Sequence, residues 1–318
     1  MNFAALRVFA MLCAVALGWA ATPVHADIPE LKSSAVLVMD EETGEILYSR
    51  NPGQILPIAS ITKLMTAMVT LDAGLPLDER ISITNKDLDT LKGTGSRLRV
   101  GTELSRDDLL KLALMASENR AASALSGAYP GGRDAFMQAM NAKARQLGMN
   151  GTYYVEPTGL SSANVSTAED LAKLVRAAQS YPLIREYSTL ANHKIAVGRR
   201  VASFSNTNGL VRAGNWDIGL QKTGYISEAG RCLVMQAKLA ARSVVIILLD
   251  SWGKYTRIAD ANRIRQWLEP DFVIPAQPKK ISRAKSRSKI KAAASKKKSI
   301  KVTRTSNGRV QAKIASAK

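Results

Sequence analysis

The chain is poor in the residues on which most hydrolases depend. It has two cysteines, Cys13 and Cys232, and two histidines, His25 and His193. One of each falls in a leader. Arg7 gives a weakly positive start, Phe9 to Ala21 is an apolar run too short for a comfortable membrane span, and Val24-His25-Ala26 offers a cleavage site before Asp27. Residues 1–26 are therefore expected to be a signal peptide that sends the chain to the periplasm. Leu12 before Cys13 is too large for a lipid-attachment signal. Without the leader a single cysteine remains, which excludes an internal disulfide or a thiolate metal cluster. A single histidine remains too. That excludes a multi-histidine zinc site and makes any Ser-His-Asp triad depend on His193. No metal and no cofactor are expected.

Acidic residues are also missing from one end. The 318-residue chain carries a net charge of +19, but residues 276–318 hold fifteen of its 45 basic residues and none of its 26 acidic ones. The body is close to neutral. Rich in Ala, Ser and Lys, and following Pro275 and Pro278, the segment is expected to be a disordered basic tail. Export argues against nucleic acid as its partner. Anionic cell-wall polymer or a membrane surface fits better. No sustained apolar periodicity marks the tail as an amphipathic anchor helix.

Residues 27–275 read as one α+β body. Ala35–Met39 and Ile46–Tyr48 flank a turn at Gly44, which predicts a β-hairpin. Pro57 precedes a helix from about Ser60 to Leu71, with Ile61, Leu64, Met65, Met68 and Leu71 at core-facing spacing. Further helices are expected at Arg106–Met115, resuming after a break at Ser117-Glu118-Asn119, and at Arg133–Leu147 and Thr167–Ala178. Asp217–Lys222, Arg231–Leu239 and Val244–Leu249 read as consecutive strands, closed by a helix from Tyr255 to about Leu268. Strands at both ends with helices between them suit an antiparallel sheet whose first hairpin pairs with the last strands, with a helical lobe inserted.

Three short motifs carry possible chemistry. In Ser60-Ile61-Thr62-Lys63, positions i and i+3 share a helix face, so hydroxyl and amine can meet. For Lys63 to take the Ser60 proton its pKa must fall by about 3 units from ~10.4, roughly 4 kcal/mol of environment. Burial, a second cation and a helix N-terminus would each push that way. In Ser117-Glu118-Asn119, a hydroxyl able to relay a proton and an orienting amide lie two residues apart. In Lys222-Thr223-Gly224, ending a predicted strand, there is a positive charge, a hydroxyl and room for a substrate backbone. An edge strand there could bind an extended peptide by main-chain pairing.

The ordered set resembles the penicillin-recognising serine enzymes, D,D-peptidases and serine β-lactamases. It is most similar to D-alanyl-D-alanine endopeptidases of the penicillin-binding protein 7 type. Pro57–Leu71, Leu112–Ala122, Glu156–Ser161 and Gln221–Val234 carry the likeness. The resemblance implies a β-lactamase/D,D-peptidase-like fold that acts on peptidoglycan peptide stems and is covalently inhibited by β-lactams. In it Ser60 is the nucleophile, Lys63 the proton acceptor, Ser117 the donor toward the leaving amine, and Asn119 an orienting amide. Lys222 would hold Ser117, Thr223 would bind the substrate carboxylate or backbone, and Gly224 would let it approach. The backbone N–H groups of Ser60 and Tyr225 would form the oxyanion hole. Carboxypeptidase and β-lactamase activities use the same motifs and stay open. Too few residues lie between Lys222 and the tail for a β-rich second domain. Glu156 before Pro157 is read as a loop residue outside the chemistry, and His193 as part of a helix-to-strand connection.

Overall fold

The computed structural model describes residues 29–197, 200–273, 303–304 and 310–311. The expected signal peptide and most of the basic tail lie outside the described residues. The chain divides into a body up to Val273 and a unit from Ile274 onward.

The body begins with strands β1 (Ser33–Asp40) and β2 (Ile46–Arg50), the expected hairpin. After the two-residue strand β3 (Leu56–Pro57), a 3-10 turn at Ala59–Ile61 leads into helix α1 (Thr62–Asp72). Ser60 thus sits in the tight turn before the α-helix, not in its first α-turn as expected. Strands β4 (Arg80–Ser82) and β5 (Glu103–Ser105) pair across an 83–102 excursion. Helices α2 (Arg106–Met115), α3 (Asn119–Gly127) and α4 (Gly132–Gln146) follow. Ser105 caps α2 through the Asp108 N–H, and Asp107 and Asp108 suit its positive end. Strand β6 (Val165–Ser166) returns to pair with β3, and α5 (Ala168–Gln179) completes the lobe.

Between α5 and β9 the fold has elements that the sequence pattern does not predict. Helix α6 (Pro182–Thr189) starts on a proline at its first turn, and β7 (Asn192–Val197) and β8 (Arg200–Ser205) form a hairpin. His193 therefore lies within a strand opposite Phe204, not in a connection. A short helix α7 (Gly209–Ala213) leads into three long strands: β9 (Asp217–Ile226), β10 (Gly230–Leu239) and β11 (Arg242–Ser251). Helix α8 (Thr256–Leu268) closes the body.

The five long strands form one antiparallel sheet in the order β2-β1-β11-β10-β9. The first hairpin pairs with the last strands, Leu37 opposite Ile247 and Val38 opposite Ile246. Alternation divides the apolar residues between two layers. Leu37, Val234, Val245 and Ile247 face the helical lobe, packed with Leu64 and Met68 of α1 and Leu171 and Val175 of α5. Val36, Val38, Met235, Ile246 and Leu248 face α8, against Ala261 and Ile264. Both faces are covered, which is why these strands read as continuous apolar runs. Buried Asp260 of α8 accepts from the Ser33 N–H at 2.8 Å and its hydroxyl at 2.7 Å, fixing α8 to β1. Strand β9 is left as an edge. Helix α6 covers its first half, with Gln221 Nε2 donating to the Ser188 carbonyl at 2.6 Å.

Among the described residues no helix is long and apolar enough to cross a membrane. In the C-terminal unit, strands β12 (Thr303–Arg304) and β13 (Val310–Gln311) pair antiparallel.

Candidate active site

Ser60, Ser117, Asn119, Thr223, Gly224 and Tyr225 all line one cleft of ≈ 410 Å³. Its floor is the 3-10 turn before α1, one wall the end of α2 and start of α3, and the other the uncovered half of β9.

Lys63 is fully buried, and its amine makes three contacts. It donates to Ser60 Oγ at 2.9 Å, to Asn119 Oδ1 at 2.7 Å and to the Thr158 carbonyl at 2.6 Å. Burial lowers its pKa to about 8, while the Glu156 and Glu118 carboxylates pull the other way. Desolvation is the largest cause of that lowering.

Lys222, also fully buried, donates to Ser117 Oγ at 2.9 Å and to the Thr223 carbonyl at 2.9 Å. Burial, then Lys63, then Arg257 push its pKa well below the ordinary lysine value. A further cation, Arg257 of α8, lines the cleft and donates to the Gly224 carbonyl at 2.7 Å. Burial lowers Arg257 only to about 10. Thr223 Oγ1 lies 2.6 Å from Thr207 Oγ1, which orients the hydroxyl beside the cleft.

The backbone is unusual on both sides of the cleft. Ala59, just before the nucleophile candidate, has φ 46°, and Ser117 has φ 58°. Both occupy the left-handed region that non-glycine residues rarely adopt, and such strain gathers at sites where geometry is over-determined. Two glycines make the close packing possible. A Cβ on Gly224 would come within 2.9 Å of the Ile58 carbonyl oxygen and 3.1 Å of the Ser60 nitrogen. A Cβ on Gly159 would overlap the Ala59 carbonyl.

Supporting residues carry weaker sequence signals. Glu156 touches no reacting group. Its carboxylate accepts from the Thr158 N–H at 2.7 Å and the Gly159 N–H at 2.6 Å, which shapes the loop that presents the Thr158 carbonyl to Lys63. A carbonyl acting as a ligand leaves no side-chain signature, so Thr158 is invisible in the sequence. Asn119 is gripped at both ends: Nδ2 donates to Thr94 Oγ1 at 3.0 Å while Oδ1 accepts from Lys63. Thr94 in turn donates to Asp89 Oδ2 at 2.6 Å. Partial burial opposes ionisation of Asp89, yet Thr94 and the N–H groups of Lys92, Thr94 and Leu91 hold its carboxyl down near about 2. Lys92 of this loop pairs with Glu228 of the β9–β10 turn, spanning the mouth of the cleft. His193 lies 3.7 Å from Asp108 and is not among the cleft residues. Among the described residues no cluster could hold a metal ion.

A serine on a tight turn, bonded to a buried lysine of depressed pKa and faced by a second Ser–Lys pair, defines an active-site serine enzyme of the D,D-peptidase fold. Comparison bears this out. The family model described as D-alanyl-D-alanine carboxypeptidase matches residues 21–252, and the chain belongs to that family of serine peptidases. A Pseudomonas aeruginosa protein named D-alanyl-D-alanine endopeptidase is 51% identical over 82% of this chain and 86% of its own length. An Escherichia coli protein of the same name is 47% identical over 86% of this chain and 89% of its own. The crystal structure of the Streptomyces K15 DD-transpeptidase superposes with TM-score 0.71 at 27% identity, covering 76% of this chain and 98% of that one.

Proposed function

We propose that the chain is a periplasmic D,D-endopeptidase that cuts D-alanyl cross-links of peptidoglycan through an acyl-enzyme on Ser60. The contact that carries this reading is the 2.9 Å bond between Ser60 Oγ and the buried Lys63 amine. At pKa about 8 that amine is neutral often enough to accept a proton. Lys63 takes the Ser60 proton as Oγ bonds to the D-alanyl carbonyl carbon. The oxyanion settles against the N–H groups of Ser60 and Tyr225. The C–N bond then breaks as the proton held by Lys63 passes through Ser117, which Lys222 holds in place, to the leaving amine. Water releases the acyl group and returns the proton to Ser60. Asn119 orients Lys63 and the substrate amide, and Thr223 with Arg257 supplies the polar seat for a substrate carboxylate. A β-lactam enters by the same acylation and stalls.

The endopeptidase preference is supported by the names of the two relatives at 51% and 47% identity. The leader at residues 1–26 supports export, and the fifteen cations after residue 275 suit an anionic wall polymer or membrane surface. Mass spectrometry after penicillin treatment should show one adduct on wild type and none on Ser60→Ala. Digestion of cross-linked muropeptide dimers should then yield monomers. Loss of alanine from linear pentapeptides alone would make the chain a carboxypeptidase, and rapid release of hydrolysed penicillin would make it a β-lactamase.

A further inference from the structure

A cut across a cross-link requires the enzyme to hold two peptide stems, and the reacting groups line one cleft of ≈ 410 Å³. A second cavity of ≈ 550 Å³ continues it: Tyr225 and Ser227 line both. Two other cavities, one along α4 and one beneath the β7–β8 hairpin, share no residue with the cleft.

The walls of this second cavity have a definite chemistry. Arg231 of β10 stacks its guanidinium 4.2 Å from the centre of the Tyr225 ring, which leaves its N–H edge available. Lys254 follows the end of β11, with Trp252 beside it 72% exposed. Neither cation is in an ion pair among the described residues. The one carboxylate in the wall, Asp250, already accepts from the Ser34 hydroxyl at 2.8 Å. The cavity is therefore cationic, with an exposed indole beside the charge. That combination fits an extended peptide bearing free carboxylates, with its aliphatic part on the indole. A neutral sugar would have no use for the two cations.

We propose that this cavity is the seat of the second, anionic stem of a cross-linked substrate, with stem carboxylates on Arg231 and Lys254 and side-chain carbon on Trp252. The inference rests on the reading of the chain as an endopeptidase. On this view the extra cavity, and not the reacting groups, separates cross-links from linear ends.

The test measures two rates on the same preparations: acylation by fluorescent penicillin, which needs only the first cleft, and cleavage of cross-linked muropeptide dimers. Arg231→Gln, the exposed Lys254→Gln and their double variant should acylate within about twofold of wild type. Their KM for dimers should rise about tenfold in the double variant, equivalent to one modest ionic contact. Amidating the stem carboxylates of the dimer should raise the wild-type KM similarly and leave the double variant unmoved. If Lys254→Gln and the double variant cleave dimers with wild-type KM, the seat is elsewhere while the endopeptidase reading stands. If acylation falls in step with cleavage, Arg231 only props up Tyr225 and the inference is overturned. If the wild type acylates but leaves dimers intact, the endopeptidase reading itself fails, and this inference with it.

Discussion

The Lys222 amine and the Ser117 hydroxyl meet at 2.9 Å, tying the edge strand β9 to the helical lobe across the catalytic cleft. Lys63 and Ser60 make a parallel pair at the same distance. Two Ser–Lys pairs thus face one another, each lysine buried and each held below its ordinary pKa.

Removing one member of the second pair should cost the proton relay without unfolding the protein. Ser117→Ala is expected to slow penicillin acylation by about 10²–10³-fold, the range of general acid–base catalysis. Lys222→Ala should do the same, and the double variant should be little worse than either single one, because the two act as a unit. Fully additive losses in a double-mutant cycle would mean the residues work separately.

The Lys63 pKa of about 8 fixes a pH dependence. Acylation should rise about tenfold per pH unit below 8 and level off above it. Stability should move the same way. A lysine with a depressed folded pKa binds fewer protons folded than unfolded between pH 8 and 10.5, so unfolding free energy increases with pH in that window. Below it the cost of a buried ammonium is present in full, on the order of 3 kcal/mol for this group. Denaturant midpoints should climb from pH 7 to pH 9.5, and Lys63→Met should flatten part of that climb. A flat wild-type profile would show that the amine is not desolvated.

Thr94 holds Asn119 by a hydroxyl that accepts from Nδ2 and donates to Asp89. Thr94→Val keeps the shape and removes the bond. It should lower the acylation rate about tenfold, a loss of one net hydrogen bond's worth of orientation. Thr94→Ser should restore most of that loss. If Val and Ser variants acylate alike, the hydroxyl has no part in setting the amide.

Gly159 is required by space as well as by conformation, since it has φ 82° and lies on the Ala59 carbonyl. Gly159→Ala should destabilise the fold by on the order of 1–3 kcal/mol. It should also abolish penicillin labelling, because the displaced turn carries Ser60. Normal labelling of a soluble variant would refute this account of the turn.

How much of this was readable beforehand depends on the kind of signal. Helix α2 falls at Arg106–Met115, as its periodicity predicts, and the sheet closes the first hairpin onto the last strands. Ser60, Lys63, Ser117 and Lys222 could be paired in advance because side chains do the pairing. The pattern predicts a strand ending at Lys222 because Thr223-Gly224 looks like a strand end, whereas Gly224 serves the close approach to Ile58 and the strand runs to Ile226. Helix α6 and the β7–β8 hairpin are short, and much of their surface is exposed, so their apolar periodicity is brief. The Thr158 carbonyl and the Thr94–Asp89 clamp act through backbone and hydroxyl geometry, which no residue pattern announces.

The sheet order β2-β1-β11-β10-β9 has a consequence in time. Ser60 is among the first segments of the body to leave a ribosome or an export channel. The strand that completes its surroundings, β9, lies more than 150 residues later and joins the sheet through β10 and β11 to β1, pairing Leu37 with Ile247. Until that distant stretch arrives the nucleophile has no Lys222 and no β9 wall, so a partly emerged chain is an unarmed peptidase. A chain stopped before Asp217 should accordingly take up no fluorescent penicillin, and labelling of such a fragment would show that the serine can be activated without β9.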